Sequence, residues 1–309
     1  MILDEIQTLP PIIGIGDIVA DVVVRIPSLP VGAEDFLLAS DFELEAGGTA
    51  NFLVMAARLG APAVALGSIG IDIWGNEIRN MLEAESVDMS LISSAGTTTR
   101  ALVLVDEQGR HAFIGKFGQA EESKLSERQR KMLQGAGATF ASGYSLSEAH
   151  LAELTLQAMQ IAGGGGAQRS FDPGPAYHGL TKVLKERVLA LTDVLLVTEE
   201  ELPAVSTAGV NALFDLGPRM VVMKRGEEGC RVYTQSGLVA EHPGFNVPVM
   251  DSTAAGDSFA AGFMTALTAG LPVDVCARLG NAVGAAKVQK LGGGRNVPHL
   301  AEVEDILER

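Results

Sequence analysis

Seven residues, Asp251-Ser-Thr-Ala-Ala-Gly-Asp257, place small side chains, hydroxyls and two carboxylates directly ahead of an apolar run at 258–267. In that run Phe259, Phe263, Ala266 and Leu267 recur at i, i+4, i+7 and i+8, the spacing of a helix packed on one face. A helix start leaves backbone N–H groups unpaired, and Ser252 or Thr253 offers them a side-chain cap. Ala254, Ala255 and Gly256 let a ligand come close to those groups, where the helix dipole favours negative charge. Asp257 would repel such an anion unless it takes up a proton while the neighbouring anion gains charge. Together these residues suggest phosphoryl transfer. Read locally, they fit an ordinary capped, buried helix equally well.

The chain that must position them has 309 residues, 47% of them hydrophobic, enough for one large domain with or without a small appendage. A net charge of −15 argues against nucleic acid or an anionic membrane as partner, because both would repel it. The two cysteines, Cys230 and Cys276, stand among small or apolar residues and read as buried thiols in a reducing compartment. Residues 1–7 carry acids where a signal peptide would carry Lys or Arg, and the longest apolar run is broken by Gly262, Gly270 and Pro272. These features predict a soluble cytoplasmic protein.

Apolar stretches at 11–15, 63–66, 138–141, 194–197, 220–223 and 229–233 predict strands. Helical patterns at 49–59, 74–85, 147–161, 179–190 and 274–290 alternate with them. The alternation predicts an α/β domain, a three-layer, mostly parallel sheet flanked by helices. Segments 18–25, 36–45 and 101–117 instead alternate with period two, with a turn at 106–109, and predict a small antiparallel β lid. The expected division is a main domain at 1–17, 46–98 and 118–309 and a lid at 18–45 and 99–117.

Gly14-Ile-Gly16 after the first strand invites a dinucleotide-fold reading, but Val19 stands at the third small position and no helix follows. No P-loop sequence exists either. Asp17 and Asp21, four apart in an extended segment, should share a face and could hydrogen-bond the hydroxyls of a polyol. Gly47-Gly48-Thr-Ala-Asn51 opens a helix with room for close ligand approach and an amide for a hydroxyl.

The order of these motifs resembles the ribokinase-like (PfkB) carbohydrate kinase family over nearly the whole chain, with the Ala254-Ala255 variant nearest ribokinase. The matching features are Gly16 to Asp21 leading to Leu29-Pro30, Gly47-Gly48 to Asn51, Ala57-Arg-Leu-Gly60, Gly67 to Gly75, Gly226-Glu-Glu-Gly229, Asp251 to Asp257, and Leu291-Gly292. The resemblance implies an ATP- and Mg²⁺-dependent kinase acting on a hydroxymethyl group of a sugar or sugar-like polyol. It makes Asp257 the catalytic base and Ala254, Ala255 and Gly256 the anion hole. Asp21, Gly47, Gly48 and Asn51 fall on sugar-contacting positions, with Asp17 as an addition. Gly226 and Gly229 belong to the nucleotide loop, and Asn281 aligns with an adenine-side contact. Asp251 and Thr253 match part of a monovalent-cation (K⁺) site.

The chain also departs from the family pattern. Thr198 replaces the Asn of an Asn-x-x-Glu motif whose Glu201 is retained to organise hydrated Mg²⁺. Lys224-Arg225 stands where relatives usually carry uncharged residues, and would add charge near the phosphates or form a solvated strand end. The alternatives are a nucleoside kinase, with Phe36, Phe42, Phe113 or Phe117 stacking a base, and a sugar or nucleotide sensor without catalysis. A phosphosugar acceptor is disfavoured by the acidic Asp17–Asp21 face, although Arg25, Arg100 and Arg110 could reach a second phosphate. Apolar lid surface predicts a homodimer through the lid.

Overall fold

The structure is a computed structural model that describes residues 9–119 and 124–309, so the acidic start at 1–7 lies outside it. Its strands are β1 (Ile12–Ile15), β2 (Ile18–Ile26), β3 (Asp41–Gly48), β4 (Ala63–Ile69), β5 (Asp88–Ser94), β6 (Thr99–Asp106), β7 (His111–Lys116), β8 (Ala138–Ser142), β9 (Gln168–Asp172), β10 (Val194–Thr198), β11 (Met220–Lys224), β12 (Cys230–Thr234) and β13 (Gly237–His242). Its helices are α1 (Thr49–Arg58), α2 (Ile73–Ala84), α3 (Glu127–Gln134), α4 (Ala149–Gly164), α5 (Lys182–Leu191), α6 (Leu202–Val205), α7 (Ala255–Thr268), α8 (Val273–Val288) and α9 (Leu300–Leu307).

A nine-stranded sheet runs β13-β12-β11-β10-β9-β8-β1-β4-β5, parallel except where β12 pairs with β11 and β13. Strand alternation sends Ile12, Val194 and Leu196 into one apolar layer, with Phe52 of α1, Phe263 of α7 and Leu279 of α8. Ile13, Leu195 and Val197 enter the other layer, with Leu156 and Met159 of α4 and Val188 of α5. Both faces are therefore covered, which explains why these strands read as unbroken apolar runs. Weaker apolar signals hid β5, β9, β13, α3 and α9, and the segment before Asp41 is not strand. Among the described residues no helix is long and apolar enough to cross a membrane.

The second sheet, β3-β2-β6-β7, is antiparallel at both flanks, and its inner pair β2–β6 runs parallel. Both inner strands leave the large sheet outward, one after β1 and one after β5. Gly109 N donates to Asp106 O at 2.9 Å to close the β6–β7 turn at the expected residues. Register then sorts the side chains. Asp21, Val23, Val103, Val105, His111 and Phe113 share one face, whereas Val24, Phe42, Leu102, Leu104 and Ile114 share the other.

Candidate active site

Three polar side chains stand at the carboxyl ends of neighbouring parallel strands: Asp172 ends β9, Thr198 ends β10 and Lys224 ends β11. Ligands of open α/β sheets bind beyond these ends. The start of α7 faces the same region. Gly256 would place a Cβ 3.4 Å from Lys224 Nζ, so the ammonium lies directly over the helix start.

Ala254 is the N-cap of α7, left-handed at φ 60°. Such a conformation costs an L-residue roughly 1–2 kcal/mol and here turns the chain into the helix. Neither Ser252 nor Thr253 caps the helix with its side chain, contrary to expectation. The Ala255 N–H is used internally, by Ser252 O at 3.1 Å. The Gly256 and Asp257 N–H groups have no partner among the described residues. A helix end without partners is open to an anion.

Asp257 Oδ2 accepts from Asn51 Nδ2 at 3.0 Å. Burial, with the field of Asp172, pushes its pKa up to about 6, against the opposing Asn51 hydrogen bond and Lys224 charge. Asn51 Oδ1 in turn accepts from Gly294 N at 2.7 Å, so one amide joins α1, α7 and the loop after α8. Lys224 Nζ meets Asp172 Oδ2 at 2.5 Å. Burial works against its charge, but Asp172, Glu201 and Asp257 outweigh that and raise its pKa. Arg225, just past the end of the strand, turns instead to Glu199, Glu228 and Glu241. Of the two cations only Lys224 serves the site. Lys224→Met is expected to leave Asp172 buried and unpaired, destabilising the fold by about 3–5 kcal/mol, as thermal unfolding would show.

On the lid side, Asp21 feels Asp257 and Glu45, and burial with those two charges raises its pKa to about 7. A Cβ on Gly47 would lie 1.8 Å from Asp21 Oδ2, so that glycine is required by the carboxylate. Asp17 lies just before β2 and accepts from Thr99 Oγ1 at 3.0 Å, beside His150 and Glu148. Register puts Thr99 on the face of Asp21, but the charges that act on Asp21 are Glu45 and Asp257. Gly48, at φ 62°, caps α1 and passes close to Asp17 O.

Thr198 and Glu201 form a reciprocal pair. Thr198 N donates to Glu201 Oε2 at 2.9 Å, and Glu201 N donates to Thr198 Oγ1 at 3.1 Å. Thr198 thus acts on Glu201, although the Glu201 charge still reaches Lys224. Gly226 and Gly229 both have positive φ in the β11–β12 turn, and a Cβ on Gly229 would strike His242 O. Asn281 donates its amide to His242 O and Pro243 O, both at 3.1 Å. Its side chain thus ties α8 to the segment that follows β13.

Asp251 accepts from Thr253 N at 2.8 Å and Gly292 N at 2.6 Å. Burial alone would raise its pKa, yet these backbone donors hold it below the ordinary value. His111 of the lid meets Asp251 Oδ1 at 3.2 Å and Thr253 Oγ1 at 2.8 Å through Nε2. Sequence reasoning missed His111, Asp172 and Tyr144, the last raised in pKa by burial and the fields of Asp257 and Glu201. It also missed Glu45, which pairs with Arg295 at 3.0 Å and ties the lid base to the 294–296 turn. Arg25 is engaged by Asp41 and Glu43, and Arg110 by Asp106.

Residues 12–300 match the model of the pfkB family carbohydrate kinases, and the chain belongs to that family. It is a phosphotransferase of the class that acts on sugars and nucleosides. Among relatives, the ATP-dependent ribose-1-phosphate kinase of Halopiger xanaduensis is 30% identical, covering 96% of this chain and 97% of that one. The nucleoside kinase of Methanothermobacter thermautotrophicus is 26% identical over 94% and 93% of the two chains. A putative ribokinase II of E. coli, solved with ATP and Mg²⁺, superposes with TM-score 0.85 at 22% identity over 97% and 100%. Arabidopsis thaliana ribokinase, solved with ribose and ATP, gives TM-score 0.82 at 23% identity over 98% and 100%.

Proposed function

We infer that the protein transfers the γ-phosphoryl group of ATP to a hydroxymethyl group of a sugar or sugar-like polyol. The observation that carries this reading is Asp257, set between unpartnered helix N–H groups and the lid carboxylate Asp21, which feels its charge. Asp257 takes the proton from the hydroxymethyl oxygen as that oxygen attacks phosphorus and the bond to ADP breaks. The Gly256 and Asp257 N–H groups and the Lys224 ammonium meet the charge that develops on the transferring group. Asp21 and Asn51, beside Gly47 and Gly48, hold the acceptor hydroxyls, and the 18–45 and 99–117 segments close as a lid that excludes water.

The unpartnered N–H groups and Lys224 suit a polyphosphate, and the ATP-bound neighbours support it. Among the described residues no group of three or more His, Cys, Asp or Glu forms a metal cage. A Mg²⁺ ion that keeps its waters and rides on the phosphates needs no such cage, and Glu201 is the residue that would organise those waters. Bound there, the ion neutralises phosphate charge.

Asn51→Ala removes the donor that favours the ionised base. The acid limb of kcat/KM, expected near pH 6 in the wild type, should move up by about half to one unit. A pH–rate profile would record it.

A nucleoside acceptor is the second reading, favoured by Phe113. It stacks parallel to His111 at 6.1 Å, on the site-facing side of the lid, and is 64% exposed. Phe42 lies on the outer face and is unavailable to a base. That outer face, with Phe42 and Ile114 exposed, supports a homodimer through the lid. Two buried free thiols and the acidic charge suit a cytoplasmic enzyme that binds neither nucleic acid nor membrane. A panel of sugars and nucleosides read by ADP release tests the proposal. Acceptor-dependent turnover supports it, and tight sugar binding without turnover would make the protein a sensor.

A further inference from the structure

Lysine is almost never fully buried unless it is paired. Lys287, in the last turn of α8, is 0% exposed. Its ammonium donates to Lys290 O at 2.9 Å, inside the loop that follows the helix. That loop is cross-tied to the segment leading into α7. Val288 O accepts from Met250 N at 2.7 Å and from Asp251 N at 3.2 Å, and Asp251 Oδ2 accepts from Gly292 N. Asp251 is itself only 4% exposed, and its backbone donors, with a smaller effect from the lysine's charge, favour its ionised form. Burial pushes Lys287 down to about 8, and the Asp251 charge resists that fall. A buried ammonium and a buried carboxylate therefore feel each other's charge across the cross-tied loop, next to the turn that carries Ala254 into the anion hole.

We propose that Lys287 is a built-in cation, a positioning residue that orders the anion-hole turn and stands in for a bound monovalent metal ion. The donor set agrees. Asp251 already accepts from two backbone N–H groups, and Thr253 Oγ1 is engaged by His111. A metal ion added beside the ammonium would meet like charge at short range in a poorly solvated site. Removing the ammonium reverses this, because it leaves a buried negative charge beside the free Lys290 carbonyl. Carboxylate and carbonyl oxygens together are the ligands that a hard monovalent cation takes.

The activity arm of the test rests on the phosphoryl-transfer reading, and a thermal arm does not. Wild-type protein is compared in about 0.1 M KCl and equimolar N-methylglucamine chloride, salts of equal screening strength. The expected result is the same turnover and the same melting temperature in both. Lys287→Met is expected to lose at least about tenfold in kcat/KM in N-methylglucamine and to regain most of it in KCl. Its melting temperature should rise in KCl relative to N-methylglucamine, with or without substrates. A wild-type enzyme that requires K⁺ would overturn the proposal, as would a Lys287→Met variant equally impaired in both salts. If that variant does not fold, the wild-type arm still decides. Absence of kinase activity with every acceptor would count against the reaction and leave the melting comparison intact.

Discussion

Asp257→Asn is expected to lower turnover by about 10⁴-fold while MgATP binding stays within a few-fold of wild type. The amide is the same size and keeps a contact with Asn51, so the fold has little to lose. What disappears is the only feature at the start of α7 able to take a proton from the acceptor. The wild-type pH profile should report the same group. A carboxylate lifted to about 6 is ionised at pH 8 and protonated at pH 5, so kcat/KM falls as pH drops through that value. In Asp257→Asn the residual rate should lose this limb. Steady-state kinetics with nucleotide titration calorimetry would separate lost chemistry from lost binding.

Asp21→Asn is expected to push acceptor KM up by about 10²-fold and, at the same time, to stabilise the protein at pH 8. The first effect follows from replacing a carboxylate that accepts hydrogen bonds from sugar hydroxyls, each charge-assisted bond being worth about 1.5–3 kcal/mol. The second follows from the sign of the shift. A carboxyl raised from 3.8 to about 7 is easier to bury protonated, so its favourable contribution is complete at low pH and is lost as pH rises through about 7. At pH 8 the charge is held beside Glu45 and Asp257 at a cost that the amide avoids. The gain, roughly 4 kcal/mol at most by linkage, should vanish below pH 4. Melting curves at pH 4 and pH 8 check it. Gly47→Ala should reproduce the KM effect without the gain in stability, because its Cβ displaces the Asp21 carboxylate and leaves its charge.

Sequence made the centre of the site legible and left its supports hidden. Small residues ahead of a 3.6-period helix announce an open helix start wherever they occur, so Ala254 to Asp257 could be read from one segment. Asp172 is different. It is the last residue of a short, polar strand, and its partner Lys224 is 52 residues away. Only the β9–β10–β11 register brings the two together. His111 is equally silent, since its contact with Asp251 spans 140 residues and depends on how the β6–β7 hairpin leans over the main sheet. Asp17 could be singled out from its spacing to Asp21, but its partner Thr99 is 82 residues away and invisible from one segment. Thr198 was recognisable as a departure, but its reciprocal bond with Glu201 needed a turn whose geometry the composition does not specify.

The most direct test of the account is where the phosphate goes. Wild-type protein, MgATP and each accepted sugar or nucleoside are incubated together, and the product is examined by phosphorus–proton correlation NMR. The account predicts a new phosphate ester coupled to the methylene protons of a hydroxymethyl group, formed in step with ADP and absent with Asp257→Asn. An ester on a ring or anomeric carbon, or ADP released with no ester formed, would contradict it.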